Sequence, residues 1–136
     1  MGENTFEKSW ISAVEEAVKK IREKVGLVEA VIVIGSWSRS GGGVWSDVDV
    51  LVVTDEVEGM NILDRFAIAS ELDLRRVDVF MYSYSELESM ARKGNPLALS
   101  ALIEGVKLIS SRRVDELARR ISKHYIRIGR MWKAVD

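Results

Sequence analysis

Short β-branched runs alternating with amphipathic stretches predict an α/β (α+β) fold, with three to four short strands packed by helices and a long C-terminal helix. Three observations carry this. Val31-Ile32-Val33-Ile34 and Val50-Leu51-Val52-Val53 are too short and too β-branched to be helices. Apolar residues elsewhere recur at steps of three and four. The chain has 136 residues, 47% hydrophobic and 30% charged, which suits one soluble globular domain spanning 1–136. Within it, residues 1–94 read as the core and 95–136 as a helical C-terminal part.

Taken in order, Asn4 to Lys24 reads as a helix with Phe6, Trp10, Val14, Val18, Ile21 and Val25 along one side. Asn4 with Glu7 resembles a capping box, and Gly26 is placed to end the helix. Leu27 to Ile34 is the first strand. Val48 to Val53 is the second, apolar on both faces after Asp49 and therefore central and covered on each side. Gly59 to Leu74 reads as a helix with Ile62, Leu63, Phe66, Ala67, Ala69 and Leu72 on its apolar side. Arg76 to Tyr82 is a third strand, interrupted by Asp78. Ser85-x-x-Glu88 predicts a capped helix running to Lys93, and Asn95-Pro96 opens another that Gly105 closes. Val106 to Ser110 fits an edge strand. From Arg112 the chain reads as one long helix, with Ser111 as cap and Val114, Leu117, Ile121, Tyr125, Ile128 and Trp132 on one side.

Candidate chemistry concentrates between the first two strands, in Gly35-Ser36-Trp37-Ser38-Arg39-Ser40-Gly41-Gly42-Gly43-Val44-Trp45-Ser46-Asp47-Val48-Asp49. At about 3.3 Å rise per residue, Asp47 and Asp49 point the same way with Cα atoms about 6.7 Å apart. Like charges that close, beside residues that want burial, repel and resist desolvation. A magnesium ion bridging them removes both problems, since Mg²⁺ takes carboxylates, water and substrate phosphates as ligands. Gly35 permits a sharp turn and close approach of a phosphate, to which the Ser36 hydroxyl can donate. Arg39 lies in the loop, where a short helical turn around Trp37 to Ser40 is expected. It either reaches phosphate or is solvated. Trp37 and Trp45 either stack on a base or anchor the loop. Asp78 would pair with Arg75 or Arg76 if it is structural.

Gly35-Ser36, ten residues, then Asp47-x-Asp49 followed by Val50-Leu51-Val52-Val53 resembles the signature of the DNA polymerase β-like nucleotidyltransferase superfamily. Within it, the chain is most similar to the minimal nucleotidyltransferases (MNT) of bacteria and archaea. The resemblance implies a small mixed β-sheet packed by helices. It also implies a catalytic triad of Asp47, Asp49 and Asp78 as metal ligands, with Asp78 the base toward an incoming hydroxyl. Gly35, Ser36 and Arg39 would bind the nucleotide. Two Mg²⁺ ions would act in the active complex, with ATP as substrate and AMP transferred as pyrophosphate leaves. Ser40 stands where the family commonly has glycine.

The resemblance further implies a partner. Minimal nucleotidyltransferases often pair with a small helical HEPN ribonuclease, and the transferase acts as antitoxin by adding AMP to a toxin tyrosine. Other readings are a silent binding protein that neutralises a partner by occlusion, and a transferase for small molecules acting as a dimer. Homodimer and hetero-complex are both open.

Composition sets the remaining bounds. A net charge of −1 recruits no nucleic acid globally. Only the basic C-terminal segment, with Arg112, Arg113, Arg119, Arg120, Lys123, Arg127, Arg130 and Lys133, offers a surface for RNA or an acidic partner, the alternative being a solvated face. There is no cysteine, so no disulfide and no cysteine nucleophile. The chain shows no signal-peptide pattern and no apolar run of membrane-spanning length, so a cytoplasmic location is expected. The lone histidine, His124, is given no catalytic role.

Overall fold

A computed structural model describes residues 2–34, 48–74 and 76–135, with side chains from residue 12 onward. Helix α1 (Gly2–Val25) leads into β1 (Ala30–Ile34) and β2 (Val48–Val53), and a 3₁₀ turn (Asp55–Val57) follows. Then come α2 (Ile62–Glu71), β3 (Val77–Tyr82), α3 (Tyr84–Arg92), and α4 (Pro96–Leu99) continuing into a π-helical turn (Ser100–Glu104). Strand β4 (Val106–Ser110), helix α5 (Arg112–Ser122) and a hairpin of β5 (Tyr125–Ile128) and β6 (Met131–Ala134) complete the chain.

The main sheet has the order β3-β2-β1-β4, with β1 antiparallel to both neighbours and β2 parallel to β3. It is a mixed sheet with β2 inside it, as the doubly apolar run predicts. Alternation along each strand feeds two cores. Val31, Val33, Val50, Val52, Val79 and Met81 pack with Val14, Ala17 and Ile21 of α1. Ile32, Ile34, Leu51 and Val53 pack on the other side with Leu87, Leu99, Leu102, Val114, Leu117 and Ile121.

Several expectations hold and several shift. Helix α1 starts at Gly2, so Asn4 is inside it and is no cap. Gly26, at φ +87°, accepts the left-handed conformation that ends the helix, as expected. Strand β1 begins three residues later than predicted, because Leu27 is 81% exposed and offers its carbonyl to Thr54 Oγ1. Helix α3 is capped by Ser83 and Glu86, a reciprocal capping box two residues before the one predicted. The local sequence contains both patterns, and the end of β3 selects the earlier.

Helix α2 meets expectation near its C-terminal end, where Leu72 is buried and Ala69 packs against the core, and departs from it nearer its start. Ile62, Leu63 and Phe66 are 54%, 74% and 48% exposed, while Arg65 is only 7% exposed. Its guanidinium donates to both Glu86 oxygens (2.6 and 2.7 Å), twice to the Met60 carbonyl (3.0 and 2.7 Å) and once to that of Met81 (3.2 Å). With all five donors used, an arginine can occupy an interior position.

The long C-terminal helix is the largest correction: it stops at Ser122. Beyond it, Tyr125-Ile126-Arg127-Ile128 alternates with period two, and Gly129, at φ +62°, turns the chain back along β6. The inward face of this hairpin is anchored by polar contacts. Arg127 pairs with Glu104 (2.6 Å) and lies 4.7 Å from the centre of the Trp132 ring, and the Tyr125 hydroxyl donates to the Arg92 carbonyl (3.2 Å).

Candidate active site

Two strands running in the same direction begin at the same end of the sheet. Asp49 is the second residue of β2 and Asp78 the second of β3, and the two are register partners. Such partners project from one face of the sheet, on backbones about 4.8 Å apart. Their neighbours Val48, Val50, Val77 and Val79 point to the opposite face and are buried in the core against α1. Asp49 is half-buried and Asp78 exposed, so Asp78 carries none of the burial cost that its place in an apolar strand suggested.

Ile34, the last residue of β1, pairs with Asp49. The chain therefore leaves β1 toward Gly35 from beside the carboxylate pair. Gly35, Ser36, Trp37, Arg39, Ser40, Gly41, Gly42, Gly43, Trp45 and Asp47 lie outside the described residues, as do Arg75 and the side chains of Phe6 and Trp10. Of the expected triad, the structure brings together Asp49 and Asp78. Among the described residues no group of three or more His, Cys, Asp or Glu is arranged to hold a metal ion. The pair still fits a hard divalent cation by its donor chemistry, two carboxylates on one face at adjacent register positions. His124 is exposed in the turn between α5 and β5.

The turn into β3 holds two non-glycine residues at positive φ, Asp73 (+50°) and Arg76 (+65°), and the Arg76 carbonyl accepts from Val48 N–H (2.8 Å). Left-handed backbone at such residues is uncommon and places the start of β3 beside the start of β2. Next to Asp78 a cleft of about 450 Å³ opens between α2 and β3, with Phe66, Ser70, Asp73, Leu74 and Phe80 among its walls. Sequence reasoning missed this cleft, because it assigned Phe66 to the core.

A family model described as a nucleotidyltransferase domain matches residues 14–128. The chain belongs to the nucleotidyltransferase domain family. The described core of this nucleotidyltransferase is like several solved structures. A candidate nucleotidyltransferase from Sulfolobus solfataricus is 26% identical, with 60% of this chain and 77% of that one covered and a TM-score of 0.50. A chain of a toxin–antitoxin complex with AMP-PNP is 17% identical, with 80% and 83% covered and a TM-score of 0.54. A chain of the Shewanella oneidensis complex of a tri-AMPylated HEPN toxin with an MNT antitoxin is 17% identical, with 82% of each covered and a TM-score of 0.53. The last two likenesses concern the fold. No curated protein matches the chain. Among the described residues, no helix is long and apolar enough to cross a membrane.

Proposed function

We propose that this nucleotidyltransferase transfers AMP from ATP to the tyrosine hydroxyl of a helical HEPN-type partner and so acts as its antitoxin. The observation that carries the reading is the register pairing of Asp49 with Asp78, two carboxylates on one face at the start of parallel strands. Family membership supplies the reaction class. The solved complex of an AMPylated HEPN toxin with an MNT antitoxin supports the choice of partner.

Asp47 and Asp49, with Asp78, would hold Mg²⁺ ions, which when bound offset the charge that builds on the phosphates. Gly35, Ser36 and Arg39 bind the triphosphate through backbone amides, a hydroxyl and a guanidinium. Asp78, exposed at the mouth of the cleft, takes the acceptor's proton. The acceptor oxygen attacks the α-phosphorus, a new P–O bond forms, and the bond to the bridging oxygen breaks. Its electron pair leaves with pyrophosphate.

Asp49→Asn and Asp78→Asn should each lower AMP transfer at least 100-fold, with circular dichroism and thermal midpoint unchanged. The measurement is incorporation from α-labelled ATP into a HEPN-type toxin co-purified with this chain. Equal labelling by wild type and either variant refutes the mechanism. Absence of Mg²⁺-dependent ATP binding by calorimetry would leave a silent binding protein instead.

A further inference from the structure

Helix α2 turns one uncharged face to the outside. At about 100° per residue, Ile62, Phe66, Ser70, Leu63 and Ala67 fall within about 140° of its circumference. All five are exposed. The opposite side carries Ala69, Leu72 and the clamped Arg65 into the protein. Single exposed apolar residues are ordinary, whereas a contiguous set marks a contact surface. The charges around this face have one sign. Asp64 and Glu71 lie along one border and Asp73 in the turn beyond, all exposed, and Arg65 is the only cation of the helix. Lys24 answers Glu71 (2.6 Å), and among the described residues no cation forms an ion pair with Asp64 or Asp73. The same face borders the candidate site, because Phe66 and Ser70 are also walls of the cleft at Asp78.

We propose that this face of α2 is the docking surface for the acceptor protein, which covers it with a helix carrying Lys or Arg beside an apolar stripe. This rests on the transferase reading above, since a protein whose hydroxyl reaches Asp78 must cover the rim that Phe66 and Ser70 form. The shape of the face selects a helix. Ile62, Phe66 and Ser70 make one i, i+4 row and Leu63 and Ala67 the next, and a row from a second helix fits the groove between them. The small Ala67 and Ser70 let that helix approach closely on the side of the cleft. The charge selects the partner. Two copies of this chain packed face to face would set the carboxylates of Asp64 and Asp73 against acidic surface, and such juxtaposition opposes association. Lys or Arg on a different protein meets the same carboxylates favourably. A helix docked here supplies affinity beside the chemistry and holds the hydroxyl at the cleft without engaging the metal-binding carboxylates.

The test uses the full chain with a HEPN-type toxin. Leu63→Arg and Ala67→Arg, at exposed positions outside the cleft, should each weaken toxin binding at least 10-fold by calorimetry, with Mg²⁺–ATP affinity within 2-fold of wild type. Asp64→Asn should weaken it about 3-fold at low salt and leave it unchanged at about 0.5 M salt, where an exposed charge is screened. The chain has no cysteine, so Leu63→Cys and Ala67→Cys each carry a single thiol for a benzophenone label. The toxin residues that cross-link to them should recur at steps of three and four. The proposal is overturned if the wild type does not bind the toxin, if both arginine variants bind and modify it as the wild type does, or if the cross-linked residues alternate or scatter. Self-association of the chain alone that Leu63→Arg abolishes would assign the face to a second copy and overturn it too. A chain that binds the toxin through this face but neither binds ATP nor transfers AMP defeats the transferase reading and leaves the docking surface to a silent binding protein.

Discussion

Replacing Arg65 by alanine should destabilise the protein by about 3 kcal/mol, on the following grounds. Removing one partner of a fully buried ion pair costs about 3–5 kcal/mol. The Glu86 side chain is 33% exposed, so water takes up part of its lost solvation and the lower end of that range applies. The Met60 and Met81 carbonyls lose their donors as well, but water entering the space left by the side chain can hydrogen-bond them, so they add little to that figure. The fork geometry decides the companion variant. An ammonium cannot make two parallel bonds to a carboxylate, so Arg65→Lys should recover less than half of the loss. Urea unfolding with linear extrapolation measures both, and the thermal midpoint of Arg65→Ala should fall by roughly 10 °C. Since Arg65 ties the turn before α2 to the end of β3 and the start of α3, hydrogen exchange should quicken along β3. A loss below about 1 kcal/mol, the value of a solvent-exposed pair, would refute this account of the clamp.

Two further predictions concern stability. Ser83→Ala should cost about 1 kcal/mol by removing the cap of α3, and Ser85→Ala should stay within about 0.5 kcal/mol, as urea unfolding of both variants would show; equal losses would mean the caps are misassigned. Arg113 holds the Glu29 carboxyl below its ordinary range by a direct hydrogen bond, and Asp55 is lowered first by the Tyr84 amide and then by Arg113. Glu86 is lowered by Arg65 in the same way. Stability from such depressed groups is fully present above their unfolded values, about 4.3 for Glu and 3.9 for Asp, and is lost as pH falls through the lower folded values. Unfolding free energy should therefore fall below about pH 4, and Arg113→Ala should shrink the loss between pH 7 and pH 3 by about 1 kcal/mol. Parallel curves for variant and wild type would count against the assignment.

Much of the local structure was legible in the chain. The β-branched run at Val48 to Val53 specified a central strand without any help, because nothing polar after Asp49 asked for water. Asn95-Pro96, Ser111, Gly26 and Gly105 marked helix ends through local hydrogen bonding and backbone freedom. Gly105 also has a reason the sequence hides, since a methyl group there would overlap Ile32 and the Ala101 carbonyl. Where the text of the chain allowed two local answers, it misled. Tyr125 to Trp132 satisfies both a helical stripe and an alternating strand, and packing against Glu104 and Ser100 favours the strand. Helix α2 was read with its apolar side inward, which holds for Ala69 and Leu72 but not for Ile62, Leu63 and Phe66, and the deciding interaction is Arg65 reaching a carboxylate 21 residues away.

The same division runs through the site. Residue types and spacing alone identified Asp47 and Asp49 as a candidate metal-binding pair on one strand and Asp78 as an anomaly on another, because period-two alternation is a local property of the backbone. That Asp78 stands beside Asp49 was decided only by the sheet, in which β3 joins β2 in parallel and in register. Which strand lies next to which depends on how both faces of the sheet are covered, and that is settled by contacts between residues far apart in the chain. The cleft beside Asp78 exists for the same reason.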